Sequence, residues 1–347
     1  MRRTYCGAIM LLLVGAAIVY GQTAALRPAD TLPAQYTDSE FWNLITDFSE
    51  PGGSFPYENF VSNEVNYQSV LSDVARRTKP GGVYLGVAPE QNFTYIAAIQ
   101  PKVAFIFDIR RQNLVELLMY KALFEMSPDR GEFVSRLFSR KLPIVVGRTP
   151  SAGELMNTVN ASNPDAQLYQ QTLQSIKDQL TRQHQFALTA DDLNKIGYIF
   201  NVFYRGGPNM DNQYASASPN ASVPSFHELM IAADRDGKNW AFLANDANYR
   251  HVRTMQQKNL IIPVVGDFAG PKAIRAVGKY LKQHNAAVTV FYISNVEDYL
   301  SGAWSNYLLN LQSLPIEPGG LFIRFVPQST LIRPLNEVPA RWPGRSW

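Results

Sequence analysis

One stretch, residues 82–112, constrains the fold of this chain more than any other. It runs through an apolar segment at 83–87, a turn at Ala88-Pro89-Glu90, a helical stretch, and a second apolar segment at 103–107 that ends in Asp108. Both apolar segments are too short for a helix, and both read as buried strands of a parallel sheet. Strand, turn, helix and strand in that order form the opening β-α-β of a doubly wound α/β sheet. Asp108 lies 18 positions beyond Glu90. In dinucleotide- and adenosine-binding folds an acidic residue roughly 20 residues on accepts hydrogen bonds from ribose hydroxyls.

The α/β pattern resumes late in the chain. Residues 240–243 read as a strand followed by a helix over 246–258, and 260–265 as a buried strand ending in Gly266-Asp267. Pro271, at a first helical position, opens a helix over 272–284. Residues 288–293 form the next strand and 321–326 close the sheet, which predicts about six strands, mostly parallel. Ahead of this sheet, Ser39-Glu40 suggests a capped first helix and 66–77 a second, amphipathic one. Helices at 113–126 and 132–138 follow Asp108. From about 149 to 236 the chain turns Asn-, Ser- and Gln-rich, with helices near 165–184 and 190–203 and a loop including 216–224. No strand-rich core accompanies this part. It reads as a helical insertion into a single α/β domain over 37–347, preceded by a proline-containing linker at 22–36.

Residues 1–21 stand apart. Arg2 and Arg3 precede an apolar run from about 8 to 19, the pattern of a secretory signal peptide, with cleavage expected after Gly21. The mature chain is then exported, to a periplasm or out of the cell, with no stable membrane span. The run falls short of the roughly 20 apolar residues of a spanning helix, so a retained anchor is the alternative. Cys6, the only cysteine, precedes the apolar run, which leaves the mature chain without thiol or disulfide. A net charge of +3 over 347 residues argues against nucleic acid as a partner. His184, His227, His251 and His284 show no metal-ligand spacing, and Ser225 with Glu228 around His227 matches a capping box.

Ligands of open α/β sheets sit beyond the carboxyl ends of the strands. Four predicted strand ends carry polar residues here: Glu90-Gln91-Asn92, Asp108, Asp267 and Asn295. Each also has a structural explanation. Glu90 and Asp267 can cap helices, Asp108 can pair with Arg110 or Arg111, and Asn295 can close a turn. Their common edge makes them a candidate small-ligand site, with Asp267 and Asn295 to orient a reacting group. Glu50, Asn63 and Glu64 precede the first strand and can fold over the cleft, or serve only their own loops. Tyr95 and Tyr292 can stack on a ring or belong to the core.

Residues 82–108 resemble the opening motif of S-adenosylmethionine-dependent methyltransferases, where a strand, a turn beside the cofactor and an acidic second-strand end hold the adenosine. The turn here, Gly86-Val87-Ala88-Pro89-Glu90-Gln91-Asn92, carries one glycine where that motif has two or three. Phe48-Ser49-Glu50-Pro51-Gly52-Gly53, Val61-Ser62-Asn63-Glu64, Val264-Val265-Gly266-Asp267-Phe268 and Ile293-Ser294-Asn295-Val296-Glu297 are similar to an uncharacterised bacterial family described as methyltransferase-like. That similarity runs from about residue 38 to 333. It implies a Rossmann-like sheet of the methyltransferase type, whose last strand can run antiparallel. It further implies S-adenosylmethionine as cofactor, with Gly86, Glu90, Gln91, Asn92, Asp108 and Arg110 as its binding residues. Two classes follow: a methyltransferase, or an exported protein that keeps the fold, binds a small ligand at the strand ends and lacks the chemistry. Export favours the second, because S-adenosylmethionine is made and kept in the cytosol.

Overall fold

Buried apolar runs fix the centre of the molecule, and every residue of the strands at Val83–Val87, Val103–Asp108 and Ile261–Val265 is buried. The computed structural model describes residues 29–143, 149–212, 223–326 and 329–337. The expected signal peptide, the first part of the linker and most of the 216–224 loop lie outside them. In chain order the elements are α1 (Asp38–Phe48), α2 (Leu71–Arg77), β1 (Val83–Val87), α3 (Gln91–Ile99), β2 (Val103–Asp108), α4 (Arg111–Met126), α5 (Arg130–Phe138), α6 (Ala152–Ala161), α7 (Ala166–Asp178), α8 (Ala190–Gly206), α9 (Phe226–Ile231), α10 (Asp246–Gln257), β3 (Ile261–Val265), α11 (Ala273–Gln283), β4 (Val288–Ser294), α12 (Trp304–Ser313), β5 (Ile316–Val326) and β6 (Ser329–Pro334).

The six strands make one sheet in the order β3-β2-β1-β4-β5-β6. β1 to β5 run parallel, and β6 is antiparallel to β5. Side chains alternate across each strand, so successive residues meet different helices. Phe105 of β2 packs on Phe48 of α1 and Tyr280 of α11. Tyr84 of β1, in register with Ala104, turns to the other face and meets Tyr95 of α3. Helices thus cover both faces, as the doubly wound pattern requires. The long excursion between β2 and β3 is helical, with α8 against α4 and α5, and α6 against α5 and α9.

Three expectations change. Residues 240–243 form no strand, because their backbone donors go to side chains: Trp240 to Gln68 Oε1, Ala241 to Asn239 Oδ1 and Phe242 to Thr94 Oγ1. Their apolar character comes from Phe242, which packs among Phe93, Phe124 and Phe133. The sheet closes on β6 instead of on the strand at 321–326, since β5 pairs parallel to β4 and then folds back. The cap of α1 is Thr37, which forms a capping box with Glu40; Ser39 lies inside the helix.

Candidate ligand site

From β1 the sheet grows to β2 and β3 on one side, while β4, β5 and β6 follow on the other. Connections leave the carboxyl ends of β1 and β4 in opposite directions, and a crevice opens between them. A cavity of about 390 Å³ lies there. Its lining includes Ala88 and Pro89 after β1, Ser294 and Asn295 at the end of β4, and Ser62, Asn63 and Glu64 from the segment before α2. Both strand ends turn through a left-handed residue other than glycine: Ala88 at φ 65° and Ser294 at φ 51°. Such a conformation costs about 1–3 kcal/mol and persists only where the surroundings enforce it, commonly at ligand sites.

Asn92 enforces the first of these turns. Its Nδ2 donates to the carbonyls of Val87, Ala88 and Pro89 at 2.9, 3.0 and 2.7 Å, while its Oδ1 accepts from the Tyr84 hydroxyl at 2.8 Å. Gly86 makes room for that clamp, since a Cβ on it would stand 1.9 Å from Asn92 Oδ1. Both residues shape the turn, and neither lines the cavity.

Glu64 is the only charged side chain among the described lining residues of the cavity. It is 1% exposed. Its Oε1 accepts hydrogen bonds from Tyr292 Oη and Ser294 Oγ, both 2.6 Å, and its Oε2 accepts one from Gln91 Nε2 at 3.2 Å. Burial pushes its carboxyl up to about 7 although all three hydrogen bonds act in the opposite sense. Glu90 is fully buried beside it. Glu90 Oε1 accepts from the Ser62 backbone N–H at 3.1 Å, and Oε2 has no partner among the described residues. Burial raises this carboxyl also to about 7, with the Glu64 charge adding to the effect. Glu116 of α4, buried with an Oε1 that has no partner among the described residues, is held well above the usual carboxylate range by burial and by Glu90. A buried acid that titrates near neutrality, in a crevice, marks a functional site more often than an ordinary surface carboxylate does.

The sequence-derived residues divide into two groups. Gln91 and Asn295 line the cavity together with Asn63, Glu64 and Tyr292. Asp108 does not, because Arg110 takes both of its oxygens: Nε reaches Oδ1 at 2.9 Å and Nη2 reaches Oδ2 at 2.8 Å. Arg110 also donates through Nη1 to the carbonyls of Tyr57, at 2.8 Å, and Glu58. The pair therefore fastens the 55–58 segment, which forms the rim of the cavity. Asp267 lies elsewhere, accepting from the Ala269 N–H. Beside it, Glu50 accepts the N–H groups of Asp267, Lys272 and Ala273 at the start of α11. Tyr95 is core, its ring 4.9 Å from that of Tyr292.

Several contributors carry no local sequence signal. Phe55 meets Tyr57 and Tyr299 edge-on, with centroids 5.7 and 5.2 Å apart, and Tyr57 and Tyr299 remain 52% and 48% exposed at the mouth. Asn212 lines the cavity at 8% exposure, with an Oδ1 that has no partner among the described residues. None of the described lining residues is Lys, Arg or His. Away from the cavity, His184 belongs to a network with buried Glu125 and Lys121 and with the partly exposed Asp38. Among the described residues no group of three His, Cys, Asp or Glu side chains could hold a metal ion, and no helix is long and apolar enough to cross a membrane. A family model described as a domain of unknown function (DUF7790) matches residues 59–343. No curated protein matches the sequence.

Proposed function

The chain belongs to the DUF7790 family, to which no function is attached, and we propose that it binds a small molecule in the crevice between the ends of β1 and β4. One observation carries this reading: Glu64, a buried carboxyl raised to about 7, lies in the cavity at the point where the strand order reverses. A buried acid without a compensating cation is costly to keep, and a ligand that satisfies it offsets that cost. Glu64 can also exchange a proton with a bound molecule near neutral pH. Gln91, Asn295 and Asn212 supply amide groups, and Tyr57 and Tyr299 supply ring faces at the mouth. We place this activity outside the cytosol, with the mature chain starting at Gln22. Mass spectrometry of the protein from its native cell envelope checks the start; intact residues 1–21 in a cytosolic fraction would remove the export.

A thermal-shift screen of the mature chain against a metabolite library tests the crevice. Hits are expected to weaken in Glu64→Gln and in Tyr299→Ala. Binding that survives both substitutions would place the ligand elsewhere.

The second reading is an S-adenosylmethionine-dependent methyltransferase. The antiparallel β6 favours it, as the resemblance implies such a last strand. Against it, the oxygens of Asp108 that would hold ribose are taken by Arg110. Pro89 removes one N–H donor from the turn. S-adenosylmethionine is expected to bind more weakly than about 100 μM, roughly −5.5 kcal/mol. Low-micromolar binding by calorimetry, lost in an Asp108→Asn variant whose stability is unchanged, would make the methyltransferase the leading reading.

A further inference from the structure

Resting on that small-ligand reading, we propose that the ligand is a compact organic amine, carried as its ammonium form, with the charged nitrogen against Glu64 and the body on the aromatic rim. Two buried acceptors of the cavity keep unused hydrogen-bonding capacity. A carboxylate offers about four lone-pair sites. Tyr292, Ser294 and Gln91 fill three of those on Glu64, with a single bond on Oε2. Asn212 Oδ1 is a second buried acceptor without a partner among the described residues. An ammonium brings up to three donors and no acceptor, which complements both.

Charge points the same way. The described lining holds a carboxyl and no Lys, Arg or His, so an anion would meet Glu64 with nothing to balance it. A neutral ligand would leave Glu64 either protonated or buried as an anion with no cation beside it. The faces of Tyr57 and Tyr299 at the mouth attract cations. A volume of about 390 Å³ suits a molecule of metabolite size, within the roughly 300–1,000 Å³ of small-molecule sites.

Proton linkage gives this proposal a signature. With Glu64 at about 7 in the empty cavity, an ammonium favours the ionised form, so binding releases a proton below that pH. Affinity is then expected to fall about tenfold between about pH 8 and about pH 6. Around Glu64, the phenols of Tyr84 and Tyr95 and of Tyr292 are raised well above the usual tyrosine range by burial, with the Glu64 charge adding to it. They stay protonated throughout. Glu90 titrates in the same range, and a Glu90→Gln control separates its contribution.

Calorimetric titration of the mature chain with tyramine, agmatine and ethanolamine tests this, alongside tyrosol and 4-hydroxyphenylacetate as the neutral and anionic counterparts of tyramine. At least one amine is expected to bind, tyramine at least about tenfold ahead of its counterparts, a margin of about 1.4 kcal/mol. The pH dependence is expected to persist in Glu90→Gln and to vanish in Glu64→Gln. Should Glu64→Gln fail to fold, the pH profile of the unsubstituted chain carries the test. Equal binding of tyrosol, affinity unchanged with pH, or no binding by any of the three amines overturns the amine. Neutral or anionic hits that weaken in Tyr299→Ala would still leave the crevice as the binding site.

Discussion

The hydroxyl of Tyr292 on β4 donates a 2.6 Å hydrogen bond to Glu64 across 228 positions of sequence. It joins the segment ahead of β1 to the other half of the sheet, and it ends on a carboxyl that burial raises from 4.5 to about 7. The sign of the linkage follows. A carboxyl raised on folding contributes stability fully below its unfolded value and loses it as pH rises through the folded one. Between about pH 5 and about pH 8 the unsubstituted protein therefore gives up at most roughly 3 kcal/mol at this group. Glu64→Gln removes that dependence. Urea midpoints are expected to move in favour of the variant as pH rises over this interval. A difference between the two proteins that stays constant with pH would show that Glu64 is already ionised when folded.

Asp108→Asn is expected to destabilise the fold by about 3 kcal/mol, since it leaves the buried Arg110 guanidinium without its counter-charge. The 55–58 segment should loosen with it, because the same guanidinium holds the carbonyls of Tyr57 and Glu58. Hydrogen exchange over 53–60 reads the second effect and denaturant titration the first. Unchanged stability combined with lost binding of adenosine compounds would return Asp108 to a ribose-holding role.

The sheet was legible where its strands are continuous apolar runs, and less so elsewhere. β6 escaped because it is an edge strand, Ser-Thr-Leu-Ile-Arg-Pro, with only Thr330 fully buried. Residues 240–243 misled because a buried aromatic such as Phe242 reads alike in a strand and in a loop pinned by side chains. At the site, Glu64 stood out near the first strand, but its burial depends on Tyr292 and Ser294, which only the completed sheet brings close. Tyr57, Tyr299 and Asn212 have no local pattern at all, as their roles come from three separate segments of the chain. Histidine spacing likewise concealed His184, whose partners Asp38 and Glu125 lie on α1 and α4.

His184 gives a second pH signature, of the opposite charge type. Its Nε2 stands 2.6 Å from Glu125 and its Nδ1 2.9 Å from Asp38. Burial pulls the imidazole pKa down, but the hydrogen bond and charge of Glu125, helped by Asp38 beside Nδ1, outweigh it and the net direction is up. This contribution is full below the unfolded value of about 6.5 and fades as pH rises through the raised folded value. His184→Gln is expected to cost about 1–3 kcal/mol at about pH 6 and clearly less at about pH 9. Chemical denaturation at the two pH values measures this; an equal cost at both would mean that the ring contributes by stacking on Phe186 and not by charge.

Ala88→Gly tests whether the β1 turn stores strain. Ala88 sits at φ 65°, where a Cβ crowds the following carbonyl and costs roughly 1–2 kcal/mol. Glycine relieves that cost and gives back about 0.5–1 kcal/mol of it as extra freedom in the unfolded chain. The expected result is a neutral to stabilising change of up to about 1.5 kcal/mol, the difference of those two terms. Ala97→Gly, in the helical conformation of α3, supplies the control and is expected to destabilise by about 1 kcal/mol. Ligand affinity should respond in the other direction: a freer turn holds Pro89 and Gln91 less firmly against the cavity, and part of the pre-organisation is lost. Destabilisation by Ala88→Gly as large as that of Ala97→Gly would show that the left-handed turn is held without strain, and that Asn92 clamps a conformation the chain already prefers.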